Sequence, residues 1–157
     1  MTATSHALIG TMMAAKFSGN PLLAVGASFV SHFVADVVPH WDSGTHWRKK
    51  TKERLRREAI IDVLVGFILS YILYSLILQK GPPMALANYP FVFLCIIAAQ
   101  APDWLTAPSW MFGKDFPGSS FMYEIQHRLN VKLDKPWGII TQILALIWLY
   151  LILFVIF

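Results

Sequence analysis

The sequence predicts an all-α fold: a polytopic membrane helix bundle of about five spanning or partly spanning helices, with the N-terminus cytoplasmic. Three observations predict it. Apolar residues fill 56% of the 157 positions, above the roughly 45–50% usual for soluble domains, and the mean hydropathy is +0.54. They arrive in blocks separated by polar joints rich in Gly and Pro. Lysine and arginine crowd into two of those joints. The length suits one domain, so residues 1–157 read as a single membrane-embedded unit.

The first segment, His6 to Phe17, is short, and the residues from Met1 to Lys16 lack the basic region and cleavage site of a signal peptide. Gly19-Asn20-Pro21 turns the chain into Pro21 to Val38, where proline occupies a first turn whose missing N–H costs nothing. Ala59 to Leu78 is a full-length span interrupted only by Asp62. Gly81-Pro82-Pro83 and Asn88-Tyr89-Pro90 bracket the next joint before a second short segment, Phe91 to Leu105. Gly138 to Phe157 gives 20 residues without a charge, enough to cross about 30 Å of hydrocarbon. The two short segments are expected to tilt, to shelter among neighbours or to thin the bilayer.

Orientation follows from charge. Arg48, Lys49, Lys50, Lys52, Arg54, Arg56 and Arg57 lie in loop 40–58, and Lys114, Arg128, Lys132 and Lys135 in loop 106–137. The positive-inside rule puts both loops in the cytoplasm, with the C-terminus outside. Trp41, Trp47, Trp104, Trp110 and Trp137 fall near the same interface, as an aromatic belt would. The run from 48 to 57 would also attract anionic headgroups, at about 1 kcal/mol per residue. Nucleic acid is not an expected partner, because that run has no interleaved aromatic beyond Trp47. Cys95 is the sole cysteine, which excludes an intrachain disulfide and a multi-cysteine metal site.

His32, Asp36 and His40 are spaced i, i+4, i+8, within about 80° of one helix face. Imidazoles and a carboxylate converging there form a metal-ligand pattern. The topology adds His6, Asp42, Asp62, Asp103 and His127 to the same cytoplasmic layer, so four of five histidines and four of nine acids gather there. Small residues continue several of these positions at i, i+4: His6–Gly10–Ala14, Ala24–Ser28–His32–Asp36, Asp62–Gly66–Ser70 and Cys95–Ala99–Asp103. Such rows mark close helix packing and would aim the ligands into the bundle. Plainer readings stand beside these. Asp62 can pair with Arg56 or Arg57, Asp103 can cap a helix after Pro102, Asp42 suits an Asx turn, and His127 suits a surface position.

Thr4-Ser5-His6-Ala7, the block His32-x3-Asp36-x2-Pro39-His40-x-Asp42, the Ala101-Pro102-Asp103 corner and His127 before the last span together resemble the YdjM-type (LexA-regulated-like) family of small membrane-bound metal-dependent hydrolases. The His-x3-Asp element is also similar to helical zinc ligands of the zinc-dependent phospholipase C and P1-type nuclease group, although His40 here follows Asp36 by four residues and not six. The resemblance implies a hydrolase in the cytoplasmic (inner) membrane of a prokaryote.

The expected function is metal-dependent hydrolysis of a phosphoester in a lipid or lipid-linked substrate at the cytoplasmic face. His6, His32, Asp36 and Asp103 are the first candidate ligands, and His40, Asp62 and His127 the next. Asp62 or Asp42 is the candidate proton acceptor. Mixed nitrogen and carboxylate donors favour zinc, with manganese or iron as alternatives, as one or two ions. Membrane lipids are the expected partners. Two other classes fit the same residues: a metal- or proton-coupled transporter, whose sites tend to lie near the bilayer midplane, and a helical membrane protein with a structural metal.

Overall fold

The computed structural model describes residues 1–80 and 88–156; Gly81-Pro82-Pro83 lies outside the described residues, as does the side chain of Trp110. Among the described residues are six α-helices: α1 (Ala3–Lys16), α2 (Pro21–Asp36), α3 (Lys52–Lys80), α4 (Tyr89–Phe112), α5 (Ser119–Leu129) and α6 (Trp137–Leu151). The fold is all-α, and the segments Lys52–Leu78, Tyr89–Ser109 and Trp137–Ile156 are long and apolar enough to cross a membrane.

The shortest of the apolar helices is the central one. α1 has only 14 residues, and it packs against α2, α3, α4 and α6. Its neighbours cover its polar groups, and Thr11 Oγ1 is satisfied within the helix, donating to the Ala7 carbonyl at 2.9 Å. Thr2 caps its start by accepting from Ser5 N at 3.1 Å. Asn20 does the same for α2 through Leu23 N at 3.1 Å, with Pro21 in the first turn.

The small-residue rows meet one another. A Cβ on Gly10 would lie 2.7 Å from the Cys95 carbonyl oxygen and 2.9 Å from Ala99 Cβ, so α1 and α4 approach backbone to side chain at this row. Gly66 gives α3 the same closeness to Thr4 and Ala7. Ala7, Ala14, Ala24, Tyr74, Val92, Cys95 and Ile96 form the core between these helices. The opposite faces are apolar and exposed. On α3, Ile60, Leu64, Ile68, Ile72 and Leu76 form one outward row at i, i+4 spacing.

Three boundaries differ from the sequence expectations. α2 stops at Asp36, because Pro39 disfavours helical backbone at the residue before it, so His40 leaves the helix face shared by His32 and Asp36. Pro102 and Pro108 lie inside α4, which continues to Phe112 and ends at Gly113 in the left-handed conformation (φ 67°); Asp103 is therefore a mid-helix residue and not a corner. Loop 106–137 contains α5, an amphipathic helix that packs on α4 and α2.

The segment after α2 is fixed by the segment after α5. Val131 N donates to the Asp36 carbonyl at 3.0 Å, His40 N to the Val131 carbonyl at 3.0 Å and Leu133 N to the His40 carbonyl at 2.7 Å. Trp41 N then donates to the Gly138 carbonyl in the first turn of α6 at 3.1 Å. These bonds bring the ends of α2 and α5 and the start of α6 to one end of the bundle.

Candidate metal centre

That end also holds the start of α1 and the later half of α4. His6, on the second turn of α1, faces His32 and Asp36 on α2, and their rings and carboxylate are buried. His6 Nε2 lies 3.2 Å from Asp36 Oδ1, and His32 Nε2 lies 3.4 Å from Asp36 Oδ2 and 3.6 Å from Asp103 Oδ1. The His6 and His32 rings stack with centroids 3.9 Å apart. His40, from beyond the helix, still turns Nε2 to within 3.8 Å of Asp36 Oδ1 and 3.7 Å of Asp42 Oδ2. The Met1 amino group also approaches Asp36 Oδ1.

The hydrogen bonds fix two tautomers. His32 Nδ1 is 2.8 Å from the Ala99 carbonyl oxygen, and His40 Nδ1 is 2.7 Å from that of Val38. A carbonyl oxygen only accepts, so both Nδ1 atoms carry the proton, and in a neutral ring Nε2 presents a lone pair. The His40 lone pair faces carboxylate oxygens of Asp36 and Asp42, and that of His32, which lies beside Asp36 and Asp103, meets the Gln126 amide at 3.1 Å. Acceptor against acceptor in a buried site is unfavourable until a proton or a metal ion lies between them. Both ring nitrogens of His6 and Nε2 of His40 are buried without a hydrogen-bond partner among the described residues. His6, His32 and Asp103 each offer a ligand atom within 4.8 Å of the others, so this group of two buried histidines and a half-exposed aspartate can hold a metal ion.

The spacing suits such an ion. Bonds of about 2.0–2.2 Å to nitrogen and oxygen in a tetrahedral site put neighbouring donor atoms roughly 3.3–3.6 Å apart. The contacts of His6 and His32 with Asp36, at 3.2 and 3.4 Å, fall at or near that range. The Nδ1–carbonyl bonds are the outer-shell partners that hold metal-binding histidines in place.

The other expected residues take different positions. Asp62 does not reach the cluster. It accepts from Ala3 N at 2.7 Å and from Thr4 N and Thr4 Oγ1 at 3.1 and 2.7 Å, so it caps α1 from α3. It thereby sets the height of α1, and with it His6. Removing that cap as Asp62→Ala is expected to cost about 0.5–2 kcal/mol, read as a lower unfolding midpoint in detergent. His127 is exposed and stacks on Tyr123, ring centroids 5.8 Å apart. Asp42 stays beside the cluster, where Lys132 Nζ lies 3.2 Å from Oδ1. Burial works against its ionisation, but His40 and the Lys132 ammonium hold its carboxyl well below the usual carboxylate range.

Sequence reasoning missed three buried glutamines. Gln126 Nε2 donates to Asp103 Oδ1 at 2.7 Å and to His32 Nε2 at 3.1 Å. Gln100 Nε2 donates to the Ala3 carbonyl at 3.0 Å. Gln142 Oε1 accepts from Ser5 Oγ at 3.1 Å, while its amide donates to the Trp41 carbonyl at 3.1 Å. An available signal was the i, i+3, i+4 pattern Met122–Ile125–Gln126, which puts Gln126 on the apolar side of α5. One residue turns the helix by about 100°, so His127 faces away. Gln126→Ala is expected to lower metal affinity about 10–100-fold by freeing Asp103, measurable by competition with a chromophoric chelator.

Taken together, the fold and the cluster define an all-α protein with possible membrane-crossing helices and a buried group able to bind metal. Comparison with family models, curated proteins and solved structures returned no match.

Proposed function

We propose that this chain is a membrane-bound metal-dependent hydrolase acting on a phosphoester of a lipid or lipid-linked substrate at the cytoplasmic membrane face. In this reading the N-terminus is cytoplasmic, the short α1 and α2 pass partly or wholly through the bilayer beside the three long helices, and the membrane is the cytoplasmic one of a prokaryote. The resemblance to YdjM-type hydrolases supports the same class. The observation that carries the reading is the buried set of histidine nitrogens beside Asp36 and Asp103, those of His6 lacking a hydrogen-bond partner among the described residues, an arrangement that suits a cation. Nitrogen and carboxylate donors favour zinc, or manganese or iron. When bound, such an ion supplies Lewis acidity toward a phosphoryl oxygen and acidifies water.

Two features support a lipid substrate. The cluster sits at the end of the bundle that carries Trp41 and the basic segments, the level of the headgroups in this topology. Beside it opens a cleft of about 300 Å³ whose lining includes Trp41, Ile61 and Val65 together with the acidic Glu58 and Asp62. Ile61 and Val65 are exposed on α3, so this cleft faces the apolar surroundings of the bundle. Trp41 in its lining is the sequence neighbour of His40, which places the cleft next to the cluster. Asp62 caps α1 and lines the cleft, and Asp42 lies beside His40 at the cluster, so both stay candidates for the proton acceptor. The position of the ligands at one end argues against a transit site at the midplane.

The test is metal-dependent release of phosphate or headgroup from a panel of phospholipids and polyisoprenyl phosphates by the purified, metal-loaded chain. Turnover lost with chelator and in His32→Ala supports the reading. Bound metal with no turnover on any lipid phosphate, and unfolding on chelation, would make the metal structural.

A further inference from the structure

We propose that the cluster holds a second metal position, built by His40 Nε2, Asp42 Oδ2 and Asp36 Oδ1, with Asp36 bridging it to the position at His6, His32 and Asp103. The inference rests on the metal-binding reading above and assigns residues to a second ion.

The strongest observation is His40. Its ring is buried, Nδ1 is tied to the Val38 carbonyl, and Nε2 lacks a hydrogen-bond partner among the described residues. That lone pair aims between two carboxylates, 3.8 Å from Asp36 Oδ1 and 3.7 Å from Asp42 Oδ2. Both separations slightly exceed the edge of a tetrahedral nitrogen–oxygen site, and a small closing motion makes them ligand distances.

Asp42 is divided between two tasks. Oδ1 takes the Lys132 ammonium at 3.2 Å and the Thr45 hydroxyl at 3.1 Å, which leaves Oδ2 turned to His40. This is the outer-shell support that orients a ligating carboxylate. Asp36 is divided likewise. Oδ2 faces His32, while Oδ1 faces His6 and His40 and also holds the Met1 amino group, whose place an ion would take. Because Oδ1 is shared by His6 of the first position and His40 of the second, Asp36 would be the residue common to both ions, as in two-metal hydrolytic centres. Three protein donors leave positions for exchangeable ligands, on the side where Lys132 is partly exposed. On this assignment Asp42 is a ligand and not the proton acceptor.

The experiment uses the full chain in detergent, stripped with chelator, reloaded with Mn²⁺ and freed of excess ion by gel filtration. Manganese content is read by elemental mass spectrometry and coupling by electron paramagnetic resonance. The wild type is expected to hold two equivalents and to show an exchange-coupled spectrum. Asp42→Asn and His40→Gln are expected to hold one equivalent each, with an isolated-ion spectrum and unchanged helical circular dichroism. One equivalent in the wild type with no exchange coupling overturns the second position while leaving the first, whether or not the variants fold. Two equivalents retained in both variants overturn this ligand assignment. No bound ion in the wild type overturns the metal reading and this inference together.

Discussion

On the proposed metal-binding reading, alanine at Asp36 is expected to abolish metal binding. Its two carboxylate oxygens touch all three buried histidines, His6 at 3.2 Å, His32 at 3.4 Å and His40 at 3.8 Å. No other side chain in the cluster is shared so widely, and Asp36 cannot be replaced from its own helix, which ends there. Loss of an outer-shell partner alone costs about 10–100-fold in affinity, so loss of this ligand should exceed 100-fold. Elemental analysis after gentle purification should find metal in the wild type and none in Asp36→Ala. Metal also stabilises whatever state binds it, by about 2.7 kcal/mol when its concentration is a hundred times Kd. Chelator should therefore lower the unfolding midpoint of the wild type and leave that of Asp36→Ala unmoved. Full metal content in folded Asp36→Ala would remove this cluster as the binding site.

Gly138→Ala should be the most disruptive single methyl group at this end of the bundle. A Cβ there would fall 2.2 Å from the Leu133 carbonyl oxygen, 2.6 Å from Trp41 N and 2.9 Å from the His40 carbonyl carbon. All three are backbone atoms, so no side chain can swing aside. The methyl group must push α6 away from the 40–41 and 131–133 segments. That breaks the Trp41 N–Gly138 carbonyl bond and shifts His40 away from Asp36. Overpacking of this kind costs about 1–3 kcal/mol even where side chains can yield. We expect at least that loss of stability in detergent, together with weaker metal binding. Gly26→Ala is the control. A Cβ at Gly26 meets nothing within 4 Å, and replacing a helical glycine with alanine gains roughly 0.5–1 kcal/mol. Equal stability of Gly138→Ala and the wild type would refute the close packing of His40 against α6.

The difference between the two glycines is invisible in the sequence. Both stand in apolar helices, and only the partner segment distinguishes them. Other features were legible. The rows His6–Gly10–Ala14 and Cys95–Ala99–Asp103 indicated close-packing helix faces, and the fold sets these two against each other, with Gly10 on Cys95 and Ala99. The gathering of His6, His32, Asp36, His40 and Asp103 at one end followed from charge and segment order, and the fold brings these five together. Asp62 and His127 were drawn into the same layer by the same argument, yet one caps α1 and the other faces outward. Layer is a one-dimensional coordinate along the helix axes. It says nothing of rotation about each axis, which decides what a side chain touches.

The sequence by itself determined the all-α class, the apolar segments, the pairing of His32 with Asp36, and the end of the bundle where polar groups collect. These depend on local quantities: hydropathy over a helix length, the period of about 3.6 residues per turn, and the positions of proline and basic residues. Only the tertiary structure decided that His40 returns to the cluster after α2 has ended, that Gln126 and not His127 meets His32 from 94 residues away, and that Asp62 serves α1. Those outcomes depend on how helices far apart in the chain rotate and slide to close their packing and satisfy buried polar groups. Small residues such as Gly10 and Gly138 permit that closeness without recording which partner will fill it.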